Sequence, residues 1–228
     1  MSRGSEASVT EHAGITVAAL DAVGVAHGFG TRDSASPQVL RPVQVHGRSV
    51  AFVKEPGVPL GEADAVVSDL PGVNVAVVTA DCVPILIAEE SGRRVAAVHA
   101  GWRGLAAGIV EAAVCALEEG GSTPSQLLAA VGPCIGACCY EVDAPVTTAL
   151  VGCFGRAVGD FVSPSRQDHE WLDLAGLTQL ALERAGVSPA RVSRLADACT
   201  RCDEKRFHSH RRDGAGAGRM VHWISGHP

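Results

Sequence analysis

Apolar and polar positions along this 228-residue chain fall into blocks of strand and helix length. VNVAVVTA (73–80) and VPILIAE (83–89) are near-continuous apolar runs, as expected of strands buried on both faces. RRVAAVHA follows across a polar turn at Glu90–Gly92 and pairs with VPILIAE as a hairpin. ITVAAL (15–20), VAHGF (25–29), ADAVVSD (63–69), SQLLAAVGP (125–133), RVSRLAD (191–197) and RMVHWIS (219–225) also carry strand patterns. VLRPVQVHGRSVAFV (39–53) alternates, predicting strand, turn and strand with His46-Gly47 at the bend. LAAGIVEAAVCALEEG (105–120) repeats apolar residues at three and four, a helix stopped by Gly120-Gly121. Residues 142–155 and 173–186 predict two more helices, the second closed by Gly186. Residues 1–14 have the pattern of a loose tail, leaving one domain over 15–228. Strands outnumber helices, so the expectation is a single-domain, mixed-sheet α/β fold.

Composition narrows the picture. Hydrophobic residues make up 46% but aromatics only 4%, so Val, Ala and Leu must fill the core. A net charge of −6 argues against sequence-independent nucleic-acid binding, which needs a basic face. It leaves room for a small anionic ligand held by a local Arg cluster. No apolar run reaches the length of a membrane span. The segment MSRGSEASVTEHAG lacks the apolar stretch of a signal peptide, which makes the cytoplasm the expected compartment. The eight cysteines are then expected as free thiols or metal ligands rather than disulfides.

Candidate chemistry gathers at strand ends, where side chains leave the core and can converge. His46, Cys82 and His99 each end an apolar strand beside a Gly or Asp. Two imidazoles and a thiolate make a three-ligand zinc set with a fourth position for water or substrate, a water whose pKa falls to about 7. The same residues also fit a buried cysteine and two turn histidines, or a Cys82 nucleophile with His99 as base. Asp81 and Asp64 are candidate acids. Arg48 and Arg103, two and four residues beyond the histidines, offer forked donors to phosphate or carboxylate. SHRRDG (209–214) adds His210, Arg211, Arg212 and Asp213 in what the pattern makes a solvated turn, with Arg211 a further candidate for binding substrate or phosphate. Cys134, Cys138 and Cys139 in GPCIGACCYEV and the CTRC motif at 199–202 do not form two matching CxxC pairs. They are therefore expected as reduced, metal-free packing or pocket-lining thiols. GxGxxG and P-loop patterns are absent.

QVHG (44–47), ADAVVSD (63–69), TADCVPILI (79–87), VHAGWRG (98–104), GPCIGACCYEV (132–142) and CTRC…FHSHRRDGAGAGRM (199–220) together resemble the YfiH or laccase-domain family. That family is also called multicopper polyphenol oxidase-like and purine nucleoside phosphorylase-like. The resemblance runs in order through residues 25–225 and implies an α/β/β/α sandwich with mixed sheets. It implies a metal, zinc or copper, on His46, Cys82 and His99. It further implies phosphorolysis of adenosine, inosine and methylthioadenosine, and deamination of adenosine. The expected partners are a nucleoside and phosphate, with no nucleic acid or membrane, on a monomer or homodimer. Other activities ascribed to the family are copper-dependent phenol oxidation and peptidoglycan editing, the latter fitting a Cys82-based amidase. A non-catalytic metal-binding interaction protein is a further reading. A laccase moving four electrons needs several coppers and many imidazoles; the chain has nine histidines, with His12, His169 and His227 outside the motifs. Two departures stand out. The stretch between GFGTR (28–32) and QVHG is short and lacks an Asn-Leu-Gly motif. His208 stands where the family carries a second Phe.

Overall fold

The computed structural model describes residues 9–10, 14–196 and 198–227. Its strands are β1 (Val9–Thr10), β2 (Gly14–Ile15), β3 (Ala26–Phe29), β4 (Val50–Phe52), β5 (Ala65–Ser68), β6 (Asn74–Thr79) and β7 (Val83–Glu89). They continue with β8 (Val95–Ala100), β9 (Leu127–Val131), β10 (Glu141–Asp143), β11 (Val162–Pro164), β12 (His169–Leu172), β13 (Val192–Arg194) and β14 (Met220–Ser225). The helices are α1 (Ala18–Asp21), α2 (Trp102–Ala107), α3 (Ile109–Glu119), α4 (Ala144–Phe154), α5 (Leu174–Arg184) and α6 (His210–Asp213).

Two large sheets lie face to face. One is antiparallel, in the order β1-β2-β3-β14-β6. The other is mixed, β13-β9-β7-β8-β5-β4, with parallel pairs at both edges. A small sheet, β10-β12-β11, stands beside them. The predicted β7–β8 hairpin is present in register, Val83 opposite Ala100 and Ala88 opposite Val95.

Strand period two sorts the central residues into two cores. Ile85, Ile87, Ala96, Val98 and Val67 face outward, where Leu105, Ile109, Ala113, Leu117 and Leu177 of the helices cover them. Leu86, Ala88, Val95, Ala97 and Val66 face inward and meet Val75, Val77, Phe29, Met220 and Ile224 of the other sheet. This layering is the sandwich implied by the resemblance, with one large sheet mixed and the other antiparallel, and α3 and α5 lie on the six-stranded sheet. Continuing the inward period by one residue pair places Asp64, Thr79, His99 and His222 at one end of the inter-sheet core. All four are buried.

Several elements differ from the sequence pattern. ITVAAL is not one strand: its buried Val17 and Leu20 sit three apart, and the chain turns into α1 after β2. The 105–120 helix starts earlier, at Trp102, and is cut in two by Gly108, whose φ of 86° ends α2 and begins α3. Both pieces bury the same stripe, so the periodicity ran through the break. In 39–53 only β4 forms, with isolated bridges at Leu40 and Val43. SHRRDG contains one turn of helix, α6, whose first amides are capped by Ser209 Oγ accepting from Arg212 N–H at 3.2 Å. The tail expectation falls mainly outside the described residues. Val9–Thr10 pair with β2.

Candidate metal centre

Three segments bring His46, Cys82 and His99 together. His99 comes from β8, and its side chain continues the inward row of that strand. Cys82 follows the tight link between β6 and β7. There Asp81 takes a φ of 98°, a conformation costly for a residue with a Cβ. Its contacts hold it: Thr200 Oγ1 donates to Asp81 Oδ1 at 2.6 Å, the Arg211 amide to Oδ2 at 2.6 Å, and the Ile135 amide to its carbonyl at 2.9 Å.

His46 arrives on a segment without strand partners. Gln44 docks that segment, its amide donating to Val78 O at 2.8 Å and accepting from Val78 N–H at 2.7 Å. Pro42 cannot donate, so a side chain makes the pairing that the backbone does not. The next three amides close around the Asp64 carboxylate: Val45 at 3.3 Å, His46 at 2.9 Å and Gly47 at 2.6 Å. Consecutive N–H groups of this kind form an anion nest. It holds His46 at a φ of 59°.

Asp64 also accepts from His99 Nδ1 at 2.7 Å. One fully buried carboxylate therefore orients two of the three candidate ligands. That bond fixes the proton on Nδ1 and leaves His99 Nε2 as the free donor atom. Burial pushes the Asp64 carboxyl up, but His99 and the Gly47 and His46 amides outweigh it and hold the group below its usual range. Burial likewise lowers His99, yet Asp64 and Cys82 raise it to about 9. The Cys82 thiol is raised by burial and lowered more by His46 and His99, to about 7.

The geometry fits a metal. Donor atoms of His46, Cys82 and His99 lie within 4.8 Å of one another, and Cys82 Sγ is 3.9 Å from His46 Nε2. A tetrahedral ion with metal–sulfur near 2.3 Å and metal–nitrogen near 2.05 Å sets those two atoms about 3.6 Å apart. The imidazoles meet edge to face, centroids 4.7 Å apart. Gly101 supplies the room, since a Cβ there would lie 3.0 Å from His46 Cδ2 and 3.1 Å from Cys82 Sγ.

These residues floor a cleft of about 680 Å³. Its walls carry Arg103 and Arg211, as the sequence suggested, with His210 beside Arg211, and also Arg41 and Arg219, which sequence reasoning passed over. Arg211 is anchored by donating to Glu141 O at 2.9 Å, and it lies over Tyr140. Arg103 lies over Trp102 at 4.4 Å. Arg48 is not in the cleft: exposed, it lines a separate depression with Val50, Phe52 and Glu111. The two candidate acids also look different in place. Asp64 is sealed beneath the ligands with all its acceptor positions used, and Asp81 spends both oxygens on Thr200 and Arg211. Cys138, Cys139, Cys199 and Cys202, expected as separate packing thiols, come together in one cluster. Spacing hid this because Cys138 and Cys139 are adjacent rather than two apart. Cys134 does pack as a hydrophobe, its thiol pushed up to about 12 by burial.

The family model of the multi-copper polyphenol oxidoreductase laccase matches residues 26–227. The chain belongs to that family. Members of known sequence include the purine nucleoside phosphorylase YfiH of Shigella flexneri, 40% identical over 183 residues, or 79% of this chain and 71% of that one. A purine nucleoside phosphorylase of Xylella fastidiosa is 40% identical over 77% of this chain, which spans 64% of that relative. Among solved structures, a Bacillus licheniformis hypothetical protein YfiH superposes with a TM-score of 0.87 at 23% identity, covering 96% of this chain and 98% of that one. YlmD from Geobacillus stearothermophilus gives 0.75 at 33% identity, covering 81% and 72%. Laccase-family membership implies a metal, and the His46, Cys82 and His99 donors fit one. No helix among the described residues is long and apolar enough to cross a membrane.

Proposed function

We propose that this laccase-family chain is a cytoplasmic, zinc-dependent purine nucleoside enzyme. In this reading it cleaves adenosine, inosine and methylthioadenosine with phosphate and deaminates adenosine. The observation that carries the reading is a His-Cys-His donor triangle at the floor of a cleft ringed by Arg41, Arg103, Arg211 and Arg219. Relatives named as purine nucleoside phosphorylases support the substrate class.

His46, Cys82 and His99 would hold the zinc, which supplies Lewis acidity and water activation near neutral pH. Asp64 keeps His99 in the right tautomer and fixes the backbone that carries His46. Arg103 and Arg211 take the phosphate, whose oxygen attacks the ribose C1′ as the bond from C1′ to the purine nitrogen breaks. The purine leaves with a proton gained at that nitrogen. In deamination, water adds at C6 of adenine and ammonia departs. Val43, Trp102 and Ile135 give the purine an apolar wall. Asp81 positions Arg211 through its amide rather than touching substrate.

The test is chromatography of purified protein with adenosine, inosine or methylthioadenosine, with and without phosphate, alongside metal analysis. Free purine and ribose 1-phosphate that require phosphate, with zinc present, are expected. Absence of turnover on all three nucleosides by zinc-loaded protein would overturn the reading. A second reading has one observation in its favour: the Cys82 thiol, lowered to about 7 by its histidines, is a competent nucleophile in metal-free protein. Rapid alkylation of Cys82 in protein as purified, with amide hydrolysis and no bound metal, would select a cysteine amidase instead. Copper remains chemically suited to two imidazoles and a thiolate, and the metal analysis distinguishes it.

A further inference from the structure

We propose a second metal site, a zinc ion held by Cys138, Cys139, Cys199 and Cys202, separate from the His46-Cys82-His99 centre. The sulfurs of the four all lie within 4.8 Å of one another. Cys138 and Cys139 are 3.6 Å apart, Cys138 and Cys202 3.6 Å, and Cys139 and Cys202 3.3 Å. Tetrahedral zinc with four thiolates at about 2.3 Å sets its sulfurs about 3.8 Å apart. The cluster is near that spacing and far from the roughly 2.05 Å of a disulfide.

The backbone is arranged for thiolate. The Gly136 amide points at Cys199 Sγ from 3.3 Å. The amides of Arg201 and Cys202, two and three residues on, also bond this sulfur. A CxxC whose first sulfur accepts from the following amides is the local shape of a zinc knuckle, because those N–H groups offset the charge of a metal-bound thiolate. The other half is the tight turn at 136–140, where Gly136 O accepts from the Cys139 and Tyr140 amides. Gly136 lets the two loops pack closely, since a Cβ there would lie 3.3 Å from Cys138 Sγ and 3.4 Å from Cys199 Sγ. A bridge between Cys134 and Cys199, with the Thr200 amide donating to Cys134 O at 2.9 Å, sets the two halves side by side.

Binding converts four thiols to thiolates, so four protons go to solvent as one zinc ion enters and the site ends with two negative charges. No oxidation occurs. The ion would staple two loops that both wall the cleft: 132–140, bearing Ile135 and Tyr140, and 199–212, bearing Arg211. Thr200 sits inside the knuckle and bonds Asp81, which ties the staple to the strained link beneath Cys82.

Metal content of full-length protein, purified under reducing conditions and measured by plasma mass spectrometry and native mass spectrometry, tests this. Two zinc equivalents are expected in the wild type, one in Cys82→Ala, one in Cys202→Ser and none in the double variant. Cys202 is exposed, so the Ser substitution opens no core cavity. A single equivalent that Cys82→Ala abolishes overturns the proposal. So does iron in place of the second zinc, or a metal-free chain in which peptide mapping finds a Cys139–Cys202 disulfide. Should Cys202→Ser not fold, cobalt(II) loaded into Cys82→Ala decides. An intense thiolate-to-cobalt charge-transfer band of four-sulfur tetrahedral character supports the site, and its absence removes it.

Discussion

Replacing Asp64 by Asn changes one atom of the side chain and should disable much of the centre. The carboxylate accepts four N–H groups in two pairs: His99 and the His46 amide on Oδ1, the Gly47 and Val45 amides on Oδ2. An Asn side chain has one oxygen and one NH₂. Whichever way it faces, two donors, buried at His99 and part-buried at the loop amides, then meet another donor. Each such loss costs about 1–3 kcal/mol, so about 2–6 kcal/mol is expected in all. That is a large fraction of the roughly 5–15 kcal/mol that holds a domain folded. If the NH₂ faces the loop, His46 is released; if it faces β8, His99 loses its tautomer. Either outcome frees one ligand, so metal affinity should fall about 10- to 100-fold, the usual effect of losing such a partner. Chelator competition gives the affinity and urea unfolding of metal-free protein gives the stability. A folded Asp64→Asn protein with affinity within threefold of wild type, and an unchanged unfolding midpoint, would refute the reasoning.

Three other perturbations follow from named contacts. Gly101→Ala places a methyl 3.0–3.1 Å from two ligands while its φ of −77° suits any residue, so metal affinity should drop about tenfold with thermal stability nearly kept; unchanged affinity in the same chelator titration would show that the ligands have slack. Arg103→Ala or Arg211→Ala should raise the phosphate KM at least tenfold, from a lost charge-assisted bond of about 1.5–3 kcal/mol, whereas Arg48→Ala should stay within twofold; equal effects of all three in steady-state kinetics would dissolve the phosphate cradle. His222 is fully buried, and desolvation lowers its pKa to about 3, with His99 adding to the shift. The unfolded chain, with a histidine near 6.5, binds that proton first, so this contribution is intact above pH 6.5 and lost as pH falls toward 3. At pH 5 the loss is about 2 kcal/mol, and His222→Gln should flatten that part of an acid-unfolding series; a slope identical to wild type would mean His222 is not the group responsible.

Much of the scaffold was legible because its strands are buried on both faces and bounded by turn residues. VPILIAE matches β7 residue for residue, and its hairpin with β8 is local. The three candidate ligands, which the fold brings together, were legible as polar residues where apolar rows stop. What periodicity could not carry was the backbone change at Gly108, since one stripe serves both helices. It also could not show that Gln44 replaces a strand pairing with a side-chain one. The cleft's Arg41 and Arg219 belong to two strand-patterned segments 178 positions apart in numbering, and only the fold makes them neighbours. Arg48 misled for the complementary reason: two residues from His46 in sequence, it points to the opposite side of a tight bend. The cysteine cluster needed tertiary structure because 64 positions separate Cys138 from Cys202.

The attachment of the His46 segment has a consequence for how this site can vary and assemble. His99 and Cys82 are fixed by paired strands, but His46 is berthed by a Gln44 amide and a ring of three N–H groups around Asp64. Upstream of Gln44 the attachments are the isolated bridges at Leu40 and Val43 and the Gln38 carbonyl, which accepts from Asn74 Nδ2 at 3.0 Å. The stretch from Thr31 to Pro37, ahead of these attachments, can therefore lengthen or shrink without moving the candidate ligand, as a mooring line can change length without moving the berth. The berth also draws on both sheets, since Asp64 leads into β5 of one and Val78 lies on β6 of the other, so His46 is held where the two sheets meet.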